Sequence, residues 1–313
     1  MKNSGVSGVR RMAPVTMLLL AGACVQAAEN RAPLELVVLG SGGPGALGRA
    51  SSSFLLLVDG TPRILMDAGS GSFATLGRTG LSLEATDLVL LTHLHVDHVG
   101  ELAGLFKARD VSSSGPIRFD VWGPVGSTAS PGAYFPSTTS FLAGLFGPRG
   151  SYAYLKDFAA PIRVHGHDIG RGGSGEPPVI YQQNDLTIRA MPGHHADAPT
   201  AFYRVDHGGQ SITFSGDVDE KGLANLRRIA CDSDLLVFNT VVLDPPGSPQ
   251  ILSTLHSSPR AIGETAATAH VRKLLLSHLS PVTDAQRGAV EGSIRAHFDG
   301  PVIFAEDGLH VRP

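Results

Sequence analysis

One short stretch, residues 92–100, constrains this chain more than any other part of its 313 residues. It reads Thr-His-Leu-His-Val-Asp-His-Val-Gly and follows an apolar run that predicts a β-strand. Histidine nitrogens and carboxylate oxygens are ligands that zinc and similar ions take in proteins. His93 and His95 can converge on one ion from an extended loop. Asp97 and His98 turn toward a second point as the chain enters a helix, so the spacing suggests two metal ions.

Three downstream segments supply the partners that such a site needs. One loop cannot encircle two ions and still leave a position open for water, so ligands from several segments are required. The segments are Gly193-His194-His195, Phe214-Ser215-Gly216-Asp217 and Leu275–Pro281, which contains His278. Each follows a run that predicts a strand. This order argues against a chance cluster in a chain with 13 histidines.

In the order HxHxDH, His, Asp, His, the chain resembles the metallo-β-lactamase superfamily of binuclear zinc hydrolases, over roughly residues 34–313. The resemblance implies an α/β fold, a single-domain αββα sandwich with the metal ligands on loops at one edge. Periodicity alone would not have produced this architecture, although the order of strands and helices is compatible with it. Two Zn²⁺ ions per chain are implied, and sites of this kind also accept manganese or iron.

The resemblance also assigns the ligands. It implies that the first ion is bound by His93, His95 and His195. The second ion would be bound by Asp97, His98 and His278, and Asp217 would bridge the two. The neighbouring His194 is the alternative to His195. In the related branch the ligand lies eight residues before the Tyr of a Pro-x-x-x-Tyr-Arg strand, and Tyr203 makes that residue His195.

Further motifs resemble the branch of tRNase Z and the zinc-dependent arylsulfatases. They are the segments Leu39–Pro44, Ser51–Phe54, Leu65–Gly69 and His256–Ser258. His256 resembles the proton donor of tRNase Z, so we expect it to be catalytic. Asp97 is the second expected catalytic residue, because it would orient or deprotonate a hydroxide between the ions. We expect Asp67 to have a structural role beneath the metals.

Within this branch we expect an exported hydrolase of sulfate or phosphate esters, of arylsulfatase or phosphodiesterase type, which acts by attack of a metal-bridging hydroxide. The expected partner is a small-molecule ester, with an aryl or other apolar group. Transfer RNA is not expected, because members that process it carry a basic arm, in several of them between the third histidine and the bridging aspartate. Here two predicted strands, 200–206 and 211–215, fill that interval. The net charge is also −3, with no basic cluster.

Other functions stay open. A lactone or β-lactam hydrolase is one alternative, and a non-catalytic zinc-binding protein is another. The sequence does not separate sulfate from phosphate esters, because the two groups share a shape and differ mainly in charge. The oligomeric state is also open, with a homodimer among the options.

The N-terminus predicts a cleavable secretory signal peptide at residues 1–27, followed by a hydrolase domain at 28–313. Its apolar stretch, Met12–Val25, is too short to span a bilayer, so no transmembrane anchor is expected. The expected location is the periplasm or the medium, with a lipoprotein anchored through Cys24 as the alternative. Cleavage would leave Cys231 as the single cysteine.

Residues near 108–185 are the segment that the resemblance explains least. Nine of the 19 aromatic residues of the chain lie between positions 119 and 158. A disordered linker would be depleted in them. The segment is either an aromatic-rich lid or substrate wall, or a satellite hydrophobic cluster or dimer contact.

Overall fold

In the computed structural model of the protein, the described residues are 32–45, 48–130, 133–170, 175–244 and 247–313. The predicted signal peptide at 1–27, with Cys24, lies outside these ranges. Residues 32–313 form one compact unit. Among the described residues, no helix is both long enough and apolar enough to cross a membrane.

Two seven-stranded sheets form the centre of this unit. The first contains β1 Leu34–Gly40, β2 Ser53–Val58, β3 Thr61–Met66, β4 Leu88–Leu90, β5 Ile117–Pro124, β8 Ile162–Ile169 and β16 His310–Val311. Its order is β16-β1-β2-β3-β4-β5-β8. The second contains β9 Val179–Gln183, β10 Leu186–Pro192, β11 Ala201–His207, β12 Gln210–Phe214, β13 Leu235–Asn239, β14 Leu274–Ser277 and β15 Val302–Phe304. Its order is β15-β14-β13-β12-β11-β10-β9, and β6 Ser127–Ser130 pairs with β7 Ala133–Phe135 in a separate hairpin.

Helices cover the outer faces of the sheets. They are α1 Ser72–Thr79, α2 Val96–Val99, α3 Leu102–Ser112, α4 Thr138–Phe146, α5 Leu223–Ile229, α6 Gln250–Leu255, α7 Pro259–Thr268, α8 Pro281–Ala285 and α9 Arg287–Arg295, with short 3₁₀ helices at Ala153–Asp157 and Glu220–Gly222. Ser258 followed by Pro259 predicts the start of a helix. Helix α7 begins there, because the Ser258 side chain accepts a hydrogen bond from the Ala261 amide and Pro259 occupies the first turn.

The sequence also predicts that Asp284 caps a helix running to about His297, and this prediction is wrong. Ser280 caps α8 instead, in a capping box with Thr283, and α9 begins separately at Arg287. The Asp284 carboxylate pairs with the guanidinium groups of Arg49 and Arg287. It therefore lies inside a helix and serves an ion-pair network.

Three apolar clusters hold the layers together. One lies between the sheets, where Phe54 of β2 and Phe214 of β12 approach with ring centroids 5.7 Å apart. The other two lie between each sheet and its helices. On the first sheet Phe106 of α3 stacks on Phe119 of β5 at 3.8 Å. This layering confirms the predicted αββα sandwich.

The topology places the chemistry at one edge. Strands β3, β4, β5 and β8 are mutually parallel, and so are β12 to β15. Their carboxyl ends meet at the same edge, where loops carry functional side chains in folds of this kind. His93 follows β4, Asp217 follows β12 and His278 follows β14. These separated motifs therefore meet although they lie far apart in sequence.

A buried side-chain hydrogen bond joins the two sheets next to this edge. Tyr203 of β11 is fully buried, and its hydroxyl donates to the Leu91 carbonyl at 2.8 Å. Burial raises the pKa of this phenol well above its usual value, so the hydroxyl keeps its proton. Leu91 lies two residues before His93.

We expect Tyr203→Phe to lower the free energy of unfolding by about 1–3 kcal/mol, because the buried Leu91 carbonyl loses its donor. Urea denaturation measures the change. Tyr181→Phe is the matched control, since the Tyr181 hydroxyl bonds Gln183 at the surface and its removal should change stability by less than about 0.5 kcal/mol. Equal losses in the two variants would contradict the role of the Tyr203 bond.

Candidate metal centre

Asp67 holds the histidine loop in place. It follows β3 with φ of 55°, a left-handed conformation that aspartate tolerates better than most residues. Its Oδ1 accepts a hydrogen bond from the Thr92 amide at 2.7 Å, and its Oδ2 accepts one from the Thr92 hydroxyl at 2.8 Å. The first residue of the motif is therefore fixed by a buried carboxylate. This is the structural position that we expected for Asp67.

The same carboxylate orients His98. Asp67 Oδ2 lies 2.7 Å from His98 Nδ1, so the other ring nitrogen, Nε2, faces the centre. Burial lowers the pKa of His98, but the charge and hydrogen bond of Asp67 outweigh that effect and raise it to about 9. The surrounding carboxylates thus favour a cation on Nε2, either a proton or a metal ion.

The first donor set consists of His93, His95, His195 and Asp217, which offer one ligand atom each within 4.8 Å of one another. His195 Nδ1 donates to the Leu255 carbonyl at 2.8 Å, which leaves Nε2 to face Asp217 Oδ2 at 3.5 Å. His93 Nε2 lies 3.8 Å from the same oxygen. His95 is the most exposed of the four, and Phe135 of β7 approaches it with ring centroids 6.0 Å apart.

The second donor set consists of Asp97, His98 and His278, whose ligand atoms also lie within 4.8 Å of one another. All three are buried. His278 Nε2 lies 3.1 Å from Asp97 Oδ2, and His98 Nε2 lies 3.8 Å from that oxygen. The loop and the end of β14 thus converge.

Asp217 lies between the two sets. While its Oδ2 faces the first set, its Oδ1 is 3.7 Å from His98 Nε2 and 3.5 Å from His278 Nε2. Burial raises the pKa of this carboxyl, but the nearby imidazoles, His278 first, lower it well below its usual range. Asp217 is therefore an anion with one oxygen directed to each set.

The donor atoms fit divalent metal ions. His93 Nε2 and His98 Nε2 are buried and have no hydrogen-bond partner in the part of the chain that the structure describes. Buried polar atoms are normally paired, so unpaired nitrogens directed at a carboxylate fit a bound cation. Imidazole and carboxylate donors suit zinc and neighbouring divalent ions. The cluster is a divalent metal site by this chemistry.

The structure separates the two adjacent histidines. His195 belongs to the first donor set, whereas His194 turns outward with 38% of its side chain exposed. His194 Nδ1 lies 2.6 Å from Asp219 Oδ2.

The structure also brings His256 to the centre. This residue is buried, and its ring centroid lies 5.1 Å from that of His195 and 6.0 Å from that of His278. Its Nδ1 is buried without a hydrogen-bond partner among the described residues.

Sequence analysis missed Asn239, which ends β13 at the same edge. Its side-chain amide donates to Asp217 Oδ1 at 2.7 Å and so helps to fix the bridging carboxylate. The signal was present in the sequence, because Leu235–Asn239 is an apolar strand that ends in a polar residue, as the ligand-bearing segments do.

Comparison with known proteins identifies the family. The profile of the beta-lactamase superfamily domain matches residues 62–279, more than half of the chain. The chain belongs to this superfamily. A ribonuclease Z of Mycobacterium sp. (strain KMS) is 28% identical over 287 residues, which cover 88% of this chain and 95% of that protein. A ribonuclease Z of Mycobacterium avium (strain 104) is 29% identical over 286 residues, which cover 88% of this chain and 97% of that protein.

Among solved structures, the short form of human tRNase Z aligns with a TM-score of 0.67 and 20% identity. The alignment covers 89% of the present chain and 98% of the tRNase Z chain. At that identity the likeness shows the fold alone. Together with the mycobacterial relatives, it agrees with the predicted resemblance to the tRNase Z branch. The chain is a metal-dependent hydrolase of the beta-lactamase superfamily.

The predicted substrate class is wrong. We expected an exported arylsulfatase or phosphodiesterase of small-molecule esters, with lactones or β-lactams as alternatives, but the relatives are named as ribonucleases. The expectation that tRNA is not a partner is wrong for the same reason. The interval between His195 and Asp217 was a poor guide, because it describes only one of the places where an arm can lie. Net charge was also a poor guide, since it averages over surfaces that never meet a substrate.

Paired variants of the adjacent histidines test the donor sets. We expect His195→Ala to lose bound metal, because it removes a ligand, and His194→Ala to retain the content of the unaltered protein. Metal analysis of protein loaded with zinc and then desalted measures both. Equal metal content in the two variants would contradict the assignment of His195.

Proposed function

We propose that this chain is a metal-dependent ribonuclease that hydrolyses a phosphodiester bond of RNA, and that transfer RNA is the first substrate to test. The observation that carries the proposal is the position of Asp217 between two donor sets. A two-metal centre of this kind suits in-line displacement at phosphorus. The names of the relatives that match most of the chain support RNA as the polymer.

We propose zinc for both sites. The first ion would be held by His93, His95 and His195, the second by Asp97, His98 and His278, and both by Asp217. Zinc suits this mixture of imidazole and carboxylate donors. When bound, such ions polarise the phosphoryl oxygens and lower the pKa of a coordinated water to about 7, so that a nucleophile is available at neutral pH.

Asp97 is suited to hold or accept a proton at the attacking water. Burial raises the pKa of its carboxyl, but the hydrogen bond with His278 and the charge of His98 lower it overall. The group is therefore an anion at neutral pH. It lies at the centre, 3.1 Å from His278 Nε2 and partly open to solvent, so it can orient the water before attack.

His256 is suited to act at the leaving oxygen. Burial lowers the pKa of its imidazole to about 4, and the charge of Asp217 acts in the opposite direction. A bound phosphodiester anion would add to the effect of Asp217 and help the ring to hold a proton. The unpaired Nδ1 leaves a donor position for that oxygen.

Removal of the bridging carboxylate tests the two-metal proposal. We expect Asp217→Ala to lose the second metal ion and nearly all cleavage of a tRNA precursor transcript, because no other group faces both donor sets. Asp157→Ala is the control, since that carboxylate is 76% exposed and pairs with Lys156 at the surface. Full activity in Asp217→Ala would contradict the two-metal centre. Failure of the zinc-loaded protein to cleave any RNA would contradict the proposed function.

A change of leaving atom tests His256. We expect His256→Ala to slow cleavage of an ordinary RNA bond by about 10²–10⁴-fold, the usual contribution of a general acid. On a substrate with sulfur in place of the leaving oxygen the loss should be far smaller, because a thiolate leaves without a proton. Equal losses on the two substrates would remove the acid role and leave a structural one.

A further inference from the structure

A cavity of about 470 Å³ lies beside the metal centre. The end of β5, the end of β8, Asn225 of α5 and the loop Pro192–Thr200 line it. Its volume lies within the ~300–1,000 Å³ that small-ligand pockets occupy. The lining includes the residues on both sides of the metal ligand His195, so a molecule in the cavity would adjoin a phosphate held at the metals.

The lining suits a neutral, flat ligand. Apolar walls come from Pro124, Val125, Ile169, Pro192 and Pro199, and glycines between them permit close approach. No lysine or arginine is among the described lining residues. A nucleobase could pack its faces on these apolar walls.

His194 supplies a directed polar group to this cavity. Its Nδ1 lies 2.6 Å from Asp219 Oδ2, and the same oxygen accepts from the Ala196 amide at 3.0 Å. Asp219 Oδ1 accepts from the Lys221 amide at 2.9 Å. The carboxylate is thus fixed and in turn fixes the imidazole, so Nε2 remains as the ring atom for a ligand.

Thr200 supplies a second polar group without a hydrogen-bond partner among the described residues. It is 3% exposed and lines the cavity, and its hydroxyl has no hydrogen-bond partner within the described ranges of the chain. Buried hydroxyls are normally paired. This orphan is independent of the contact between His194 and Asp219.

We propose that this cavity binds the nucleoside on one side of the scissile phosphate, with hydrogen bonds to His194 Nε2 and the Thr200 hydroxyl. The proposal rests on the proposed cleavage of RNA and names the part of the substrate that is recognised next to the metals. His194 is a specificity-determining residue on this account. It contacts the nucleoside and leaves the metals in place.

The test combines variants with abasic substrates. A short RNA with one cleavage site is made intact, and with an abasic ribose at the nucleotide on either side of that site. We expect one of the two abasic substrates to raise KM about tenfold, since base contacts of this kind are worth that much or more. We expect His194→Ala to raise KM for the intact RNA about tenfold, with kcat and metal content unchanged. On the responsive abasic RNA the variant should have no further effect.

His310→Ala is the matched control, because His310 also bonds a carboxylate, Glu35 at 2.5 Å, and is 48% exposed on β16. It should leave KM unchanged. If His194→Ala fails to fold or loses metal, Thr200→Val serves in its place, since it removes a hydroxyl and keeps the side-chain shape. Thr200→Val should also raise KM for the intact RNA and have no further effect on KM for the responsive abasic RNA.

Two results would overturn the proposal while the ribonuclease function stands. One is cleavage of both abasic RNAs with the KM of the intact RNA. The other is a KM for His194→Ala on the abasic RNA that is raised by the product of the two separate changes, because the side chain and the base would then act independently. Absence of RNA cleavage by the zinc-loaded, unaltered protein would instead remove the proposed function, and this proposal with it.

Discussion

The carboxylate of Asp217, buried between two groups of imidazoles, is the interaction on which the rest of the site depends. A buried anion is costly unless it is paired and hydrogen-bonded, and Asp217 is both, through the surrounding histidines and Asn239. It directs one oxygen toward each set of nitrogens. Their convergence also requires that the carboxyl ends of parallel strands from two sheets meet at one edge, so the sandwich supplies the positions and Asp217 connects them.

Two of the metal-binding histidines, His98 and His195, are oriented by hydrogen bonds to groups outside the donor sets. Asp67 fixes His98 and the start of its loop, and the Leu255 carbonyl fixes His195. Such partners determine which ring nitrogen faces the metal, and their removal lowers the affinity of the site for the metal. Asp219 repeats this arrangement on His194, whose ring lies outside the donor sets. One device therefore serves metal binding in one place and, on our proposal, substrate recognition in the neighbouring cavity.

Individual strands and helix starts could be predicted because their signals are local, whereas the αββα architecture and the ligand sets followed from the resemblance. The strands predicted at 200–206 and 211–215 match β11 and β12 within one residue, and Ser258 followed by Pro259 marked a helix start. The resemblance carried by the motifs implied the donor residues that the structure brings together. Asn239 was missed because its role depends on a neighbouring strand, and Asp284 was misassigned because Ser280 offers the same capping chemistry four residues earlier. Substrate class failed for a related reason, since it depends on surfaces assembled from distant segments, which composition and net charge do not describe.

We propose that this edge of the sandwich holds two metal ions joined by Asp217. The most direct measurement is anomalous X-ray diffraction from crystals of the zinc-loaded protein, recorded on both sides of the zinc absorption edge. We predict two peaks about 3.5–4 Å apart, one bonded by His93, His95 and His195 and one by Asp97, His98 and His278, with Asp217 in contact with both. A single peak, or two peaks without Asp217 between them, would contradict the account.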